Sequence, residues 1–396
     1  MIAGTIGVEG AAARAWDAIV VGAGPAGGVA AYRLARAGRR VLLVERSALP
    51  RGKVCGCCLS AAGVRALRDL GLASALHGAI PLTRVHLVAG RARAVVRVDG
   101  GVVLSREALD AAIVRAAIEA GAEFMPRTMA RRTRPAGGCR EVELEAVGDR
   151  GADRGRTARA GVVIAADGLG SVLLAEELPT TIARWSRFGV GATTREGGPR
   201  AGELWMHCGR AGYVGVVALE DGTTNIAAAL DPVAAKRAGG PGAMVASILG
   251  GSVDRAVEPE LVSGLRWHGT AALTRSRGVE AERLLAVGDA SGYVEPFTGE
   301  GMGWAVASGA AAAVQAEKIA AGERVASWRG SWSARHRSLV WNRQMRCAML
   351  AWVLRSPGLT SLAVRVVGMM PAVGGRVAGA MGRPWASAAL AGGSDA

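Results

Sequence analysis

Two kinds of hydrophobic pattern divide the chain. Residues 18–21 and 41–44 are apolar at every position, as in strands buried on both faces, and the stretch between them carries apolar residues at helical spacing and stops at Gly38. The pattern predicts strand, turn, helix and strand over 17–46. Further continuous apolar runs at 161–166 and 284–287 end in Asp167-Gly168 and Gly288-Asp289, while 104–121 and about 302–320 read as helices, the second rich in alanine. By contrast, 82–103 and 184–275 alternate with period two, as in RFGVGATTR, GELWMHCG and GYVGVVALEDGTTNIAAAL, and this predicts an antiparallel sheet. Residues 321–396, with Trp332, Trp341 and Trp352, read as helical.

The expected fold is therefore α/β. A discontinuous Rossmann-type domain spans 16–81, 101–183 and 276–320, an antiparallel β-sheet substrate domain spans 82–100 and 184–275, and a C-terminal helical segment spans 321–396. No internal repeat is present.

The turn after the first strand reads GAGPAG. Gly22 permits the tight turn, Gly24 lets the backbone approach a pyrophosphate, and Pro25 and Ala26 open a helix that Gly27 lets pack against the strand. The helix start offers free amides and a positive dipole end to phosphate. Glu45, followed by Arg46, stands where a carboxylate accepts from a ribose hydroxyl. NAD and FAD share this fingerprint, so the segment alone leaves the dinucleotide open.

Composition narrows the function classes. The formal charge is +15, yet the basic residues are scattered, almost all arginine, and rarely interleaved with aromatics, so no nucleic-acid partner is expected. No segment has the ~18 apolar residues of a spanning helix and the first fifteen lack a signal-peptide pattern, so a cytoplasmic protein is expected. The six cysteines lack metal-site spacing, and neither a disulfide framework nor a metal is expected. The tail over 361–385, with Arg365, Arg376 and Arg383, is compatible with peripheral contact with an anionic membrane.

Taken in order, GAGPAG, AADGLGS (165–171) and GDASGYVEPFTGEGMG (288–303) resemble the FAD-binding signature of the para-hydroxybenzoate hydroxylase-like flavoproteins, and most closely the branch holding geranylgeranyl reductases and related flavin monooxygenases. The resemblance covers roughly 16–320. It implies FAD as cofactor, with Asp167, Gly168, Gly288, Asp289, Pro296, Gly299, Gly301 and Met302 around it, and an arginine reaching it from the start of the 104–121 helix, here Arg106. The helix following Gly301 would place its positive end at the flavin. NAD(P)H is expected as a transient donor.

The stretch RGKVCGCCLS, residues 51–60, holds Lys53, one of three lysines in the chain. In the geranylgeranyl reductase branch a Lys-x-Cys-Gly element occurs here and faces the flavin and substrate cavity, so the resemblance makes Lys53 and Cys55 candidate catalytic residues and Gly56 a substrate neighbour. A compact ammonium is not interchangeable with a guanidinium where space is short. A thiol beside an ammonium and a flavin can ionise, whereas Cys57 and Cys58 are expected to pack. His207, Tyr213 and Glu295 are the remaining candidate substrate residues.

The expected activity is that of an FAD-dependent oxidoreductase, foremost a monooxygenase acting on a lipophilic aromatic or polyketide-like molecule. The alternative is a reductase saturating double bonds of a prenyl or other lipid chain. The aromatic Trp-x-Phe-Pro-Lys type element of prenyl reductases is absent after Gly212-Tyr213, and so is the Trp-x-Trp-x-x-Pro element of tryptophan-type halogenases. A flavoprotein that binds without turnover is a third reading.

Overall fold

The computed structural model describes residues 1–148, 155–295, 297, 299–322, 330–370, 374, 375, 379 and 385. The two apolar runs are neighbouring parallel strands, Ala15–Val21 and Val41–Val44, paired as Ala18 with Val41 and Val20 with Leu43. The first of them pairs on its other side with Arg156–Ala165, which in turn pairs in parallel with Leu284–Ala286; Glu123–Met125 closes the opposite edge. Period two sends Ala18, Val20, Val41 and Leu43 to one face and Ile19, Val21, Leu42 and Val44 to the other, and both faces are buried in separate cores.

One face is covered by three helices, Pro25–Arg36, Arg106–Glu119 and Gly301–Ala320. Small residues bring them close together. A Cβ on Gly309 would lie 2.1 Å from the Ala26 carbonyl oxygen, and one on Gly28 would lie 2.7 Å from Ile113. The alanine richness of 301–320 therefore serves contact between helix backbones.

The second large sheet roofs this domain. Its strand order is His268–Ala272, Phe188–Thr194, Thr224–Leu230, Gly212–Ala218, Glu203–Gly209, Ile80–Ala89, Ala92–Val103 and Cys58–Leu59. The roof departs from a purely antiparallel sheet at one seam, where Ile80–Ala89 runs parallel to Glu203–Gly209. The chain leaves the roof after Ala92–Val103, builds the middle of the nucleotide domain and returns, and such a long crossover permits parallel pairing.

The helices Asn342–Val353 and Pro357–Met369 follow a π-helical turn at Arg337–Trp341 and pack beside the strands Ile80–Ala89 and Ala92–Val103. Trp332 is fully buried and donates from Nε1 to the Ala286 carbonyl at 3.2 Å. Trp385 donates to the Leu339 carbonyl at 3.1 Å, lies under the Arg343 guanidinium, and stands where a side chain on Gly303 would meet it.

Candidate active site

Two adjoining hollows, of about 170 Å³ and 190 Å³, share Gly24, Lys53 and Ala166. They form one elongated groove at the strand ends of the nucleotide domain. At its far end Gly22 (φ +102°) makes a turn no side chain would survive, since a Cβ there would lie 2.3 Å from the Ala166 carbonyl oxygen. Glu45 is buried and accepts from the Ala23 amide at 2.9 Å, the Ser47 amide at 3.0 Å and Arg51 Nη2 at 3.1 Å. Burial works against its charge, but Arg51 and the two amides prevail and hold its carboxyl below the ordinary value. Arg46 is exposed along the same hollow. Asp167 lines it too; burial pushes its carboxyl up, and its Oδ1 has no hydrogen-bond partner.

At the near end the helices Pro25–Arg36 and Gly301–Ala320 both start on the groove without a side-chain cap on their first amides. Gly288 and Asp289 line it from the turn after Leu284–Ala286, with Gly168, Gly299 (φ +73°), Gly301 and Met302 around them. Arg106 is buried, held bidentately by Asp110 at 2.9 and 2.8 Å, and its first-turn neighbour Ser105 caps the helix on the Ala108 amide. A groove with two uncapped helix starts, an orphaned carboxylate oxygen at Asp167 and a glycine turn without room for side chains fits a dinucleotide. These residues can hold FAD along its length. Pro296 lies outside the described residues.

Lys53, Cys55 and Gly56 line the near end. The Lys53 ammonium is enclosed by protein yet open to the groove; burial and the neighbouring Arg106 lower its pKa, against an opposing pull from Asp289. The Cys57 amide donates to Cys55 Sγ at 3.4 Å, and the Cys57 backbone is left-handed (φ +57°). Hydrogen bonding from Cys57, against a cost of burial and aided by Arg106, brings the Cys55 thiol down to about 6. Donating to Cys55 and being buried push Cys57 the other way, and burial pushes Cys58 up to about 12. Cys57 and Cys58 pack with Val103, Val217 and Leu219. We therefore expect Cys55 alone of the three to be alkylated by iodoacetamide in FAD-free protein. The rate should rise through a midpoint near pH 6, against about 8.5 for a free thiol. Tryptic mass spectrometry across pH checks this; a midpoint at the free-thiol value would refute the hydrogen-bonded arrangement.

Beyond the groove lies a larger apolar cavity of about 650 Å³ between the roof and the two C-terminal helices. Leu82, Val85, Leu87 and Val96 line it from the roof, Leu350, Leu354, Val364 and Val367 from the helices. Cys58, Leu204, Met206 and Phe297 line both cavity and groove, so these four stand at the boundary between them. Tyr213 stands on the groove side, edge-on to Phe297 with ring centres 5.0 Å apart.

Two expected substrate residues are corrected. His207 is fully buried on the opposite face of its strand from Leu204, Met206 and Cys208; its Nδ1 pairs with Ser252 Oγ at 3.2 Å, and burial lowers its pKa to about 4. The helix Pro241–Gly250 covers that face, and the sheet itself separates His207 from the cavity. Glu295 is fully buried between Arg187 at 3.3 Å and Arg355 at 3.2 Å and reaches neither hollow. Its role is to neutralise Arg187, itself only 2% exposed. Glu295→Gln should cost about 3–5 kcal/mol, because it strands a buried guanidinium; urea denaturation measures this, and an unchanged midpoint would contradict it.

Sequence reasoning missed Leu204, Met206, Phe297 and the whole helical wall. The alternation in ELWMHCG offered a signal for the strand residues, but nothing local marks which of its two faces meets a cavity.

The fold and the groove together define a flavoprotein. The chain belongs to the FAD binding domain family, which matches residues 15–342, and it is an FAD-dependent oxidoreductase. It is similar to the menaquinone reductase of Mycolicibacterium smegmatis, at 29% identity over 95% of this chain and 96% of that protein. It is also similar to digeranylgeranylglycerophospholipid reductase 1 of Methanopyrus kandleri, at 38% identity over 39% of this chain and 40% of that protein. In fold it matches the p-nitrophenol 4-monooxygenase of Pseudomonas putida, with a TM-score of 0.71 at 15% identity over 91% of this chain and 96% of that one. Among the described residues no metal-binding cluster occurs, and no single helix is long and apolar enough to cross a membrane.

Proposed function

We propose that the chain is a reductase that saturates a carbon–carbon double bond in a prenyl lipid, with a prenylated quinone as the first candidate. The observation that carries this reading is the apolar cavity of about 650 Å³ that adjoins, at Leu204, Met206 and Phe297, the groove that Lys53, Cys55 and Gly56 line; the proposed passage for the chain runs between these three side chains. A cavity with such walls suits a chain of methylenes and methyls far better than a compact polar ring. The similarity to menaquinone reductase along the whole chain and to the phospholipid reductase supports it.

FAD, when bound and reduced, would supply a hydride, the two electrons of the reduction together with one hydrogen. The chain's own residues do the remainder. Gly299 and Gly301 leave room at the near end of the groove, and the uncapped start of Gly301–Ala320 favours negative charge there. Val190, Ala228 and Leu273 keep water from the reacting carbons. The Lys53 ammonium holds the proton that the second carbon of the double bond takes up, while Cys55 Sγ, a thiolate above about pH 6, and Asp289 offset the positive charge of Lys53 and Arg106. NAD(P)H is the proposed source of the electrons.

A second reading, hydroxylation of a lipophilic aromatic or polyketide-like molecule with oxygen, is favoured by one observation: VGVVALEDG follows Gly212-Tyr213 in place of the prenyl-reductase aromatic element. A single turnover of chemically reduced holoenzyme with prenyl lipids and alkylated phenols under isotopically heavy oxygen separates the two. The reductase yields a product heavier by two hydrogens, equally well without oxygen; a product carrying one heavy oxygen atom would overturn it.

A further inference from the structure

The two helices that wall the apolar cavity have a second, outward face. Asn342–Val353 turns Leu350 and Val353 toward the cavity. Trp341, Met345, Met349 and Trp352, at successive spacings of four, four and three, remain 53%, 42%, 67% and 67% exposed on the other side. Pro357–Met369 repeats the arrangement: Thr360, Val364 and Val367 face inward, while Leu359, Leu362, Val366 and Met369 stay exposed. Isolated exposed apolar residues are ordinary, but two helices each presenting a full outer stripe are not.

The charge of this region is as one-sided as its hydropathy. Residues 331–370 contain no aspartate or glutamate and six arginines, of which Arg337, Arg346 and Arg365 are exposed. Exposed tryptophan and methionine beside arginine, without any carboxylate, is the composition of a surface that rests at the boundary of an anionic bilayer. An anionic lipid surface complements a face of this sign along its whole length, whereas a protein partner of mixed charge complements it only in part. No single helix here is long enough to span, and the two helices pass for length and composition only as a pair bent by 110°; with their inner faces walling the cavity, they are placed along the membrane and not through it.

We propose that the outer faces of Asn342–Val353 and Pro357–Met369 dock the protein on an anionic lipid bilayer, with the apolar cavity directly behind them. The same two helices thus contact lipid on one side and wall the substrate cavity on the other, so a prenyl chain passes from bilayer to cavity without crossing water. The purpose of this docking rests on the lipid-substrate reading above, but the docking itself does not. It shares Arg365 and residues 361–369 with the tail but rests mainly on Asn342–Val353, and the tail's Arg376 and Arg383 lie outside the described residues.

The test uses the full-length holoenzyme and vesicles of phosphatidylcholine with and without about a third phosphatidylglycerol, with no substrate present. The protein should sediment with the anionic vesicles and be released about tenfold by raising salt from 0.1 to 0.5 M. Brominated lipids should quench its tryptophan fluorescence. The double variant Met349→Glu/Trp352→Glu should lose at least about tenfold in vesicle binding while keeping its bound FAD and its turnover of a short, detergent-dispersed substrate, because neither residue lines a cavity. Three results would overturn the proposal. The wild type could fail to sediment, or the variant could sediment equally well. Alternatively, side-chain footprinting could find Trp341, Met349 and Trp352 already covered in vesicle-free protein, by a second copy if light scattering gives a dimer or by the chain's own tail if it gives a monomer. Vesicle binding without reduction of any prenyl lipid would leave the docking standing and sink the reductase reading instead.

Discussion

Gly27→Ala should yield a protein that no longer retains FAD. A Cβ at this position would lie 1.9 Å from the Gly22 carbonyl oxygen and 3.0 Å from the Ala166 side chain, and the first of these neighbours is backbone that has no freedom to move. Gly22 is pinned by its own left-handed conformation, and its amide donates to the Val44 carbonyl at 2.7 Å. The helix start must therefore shift away from the strand, which displaces the amides of Gly24 to Ala26 from the groove. We expect FAD affinity to fall at least about 100-fold, corresponding to roughly 3 kcal/mol of strain and lost contacts. Gly358→Ala, where a Cβ would meet nothing within 4 Å, serves as the control and should keep its flavin. Equilibrium dialysis against FAD, with circular dichroism to verify the fold, decides the matter; stoichiometric flavin in purified Gly27→Ala would refute the role given to this turn.

Leu204→Trp should separate substrate length from cofactor binding. Leu204 is half-buried where the apolar cavity meets the groove, and an indole there fills the passage without touching the far end of the groove. FAD should remain bound. The value of kcat/KM for long prenyl substrates should fall on the order of 100-fold, the equivalent of losing about 3 kcal/mol of chain burial, while substrates of one or two prenyl units should be nearly unaffected. Uniform loss at every chain length would show that the cavity does not receive the chain.

The nucleotide half of the fold was legible because its determinants are local: continuous apolar strands, a glycine turn and a carboxylate at a fixed spacing all fall within residues 17–46. The roof was less so. Glu203–Gly209 is covered on both faces, by the helix Pro241–Gly250 on one and by the cavity on the other, so Trp205 and His207 look no different in sequence from Leu204, Met206 and Cys208. Period two assigns residues to faces and leaves the identity of each face to tertiary packing. Glu295 was misread for a related reason, since the arginines that neutralise it are 108 and 60 residues away. The parallel seam at Ile80–Ala89 likewise depends on a strand more than a hundred residues later.

The groove draws its walls from residues between Val21 and Ala305, and Trp385 then seats against Gly303 and the Leu339 carbonyl. During translation the glycine turn leaves the ribosome early, but it faces an incomplete chamber until the strand Leu284–Ala286 has joined the sheet and Gly301–Ala320 has packed behind it. Cofactor loading thus waits until residues as late as Ala305 have been made, and flavin supply acts on chains whose groove is already complete, not on those still building it.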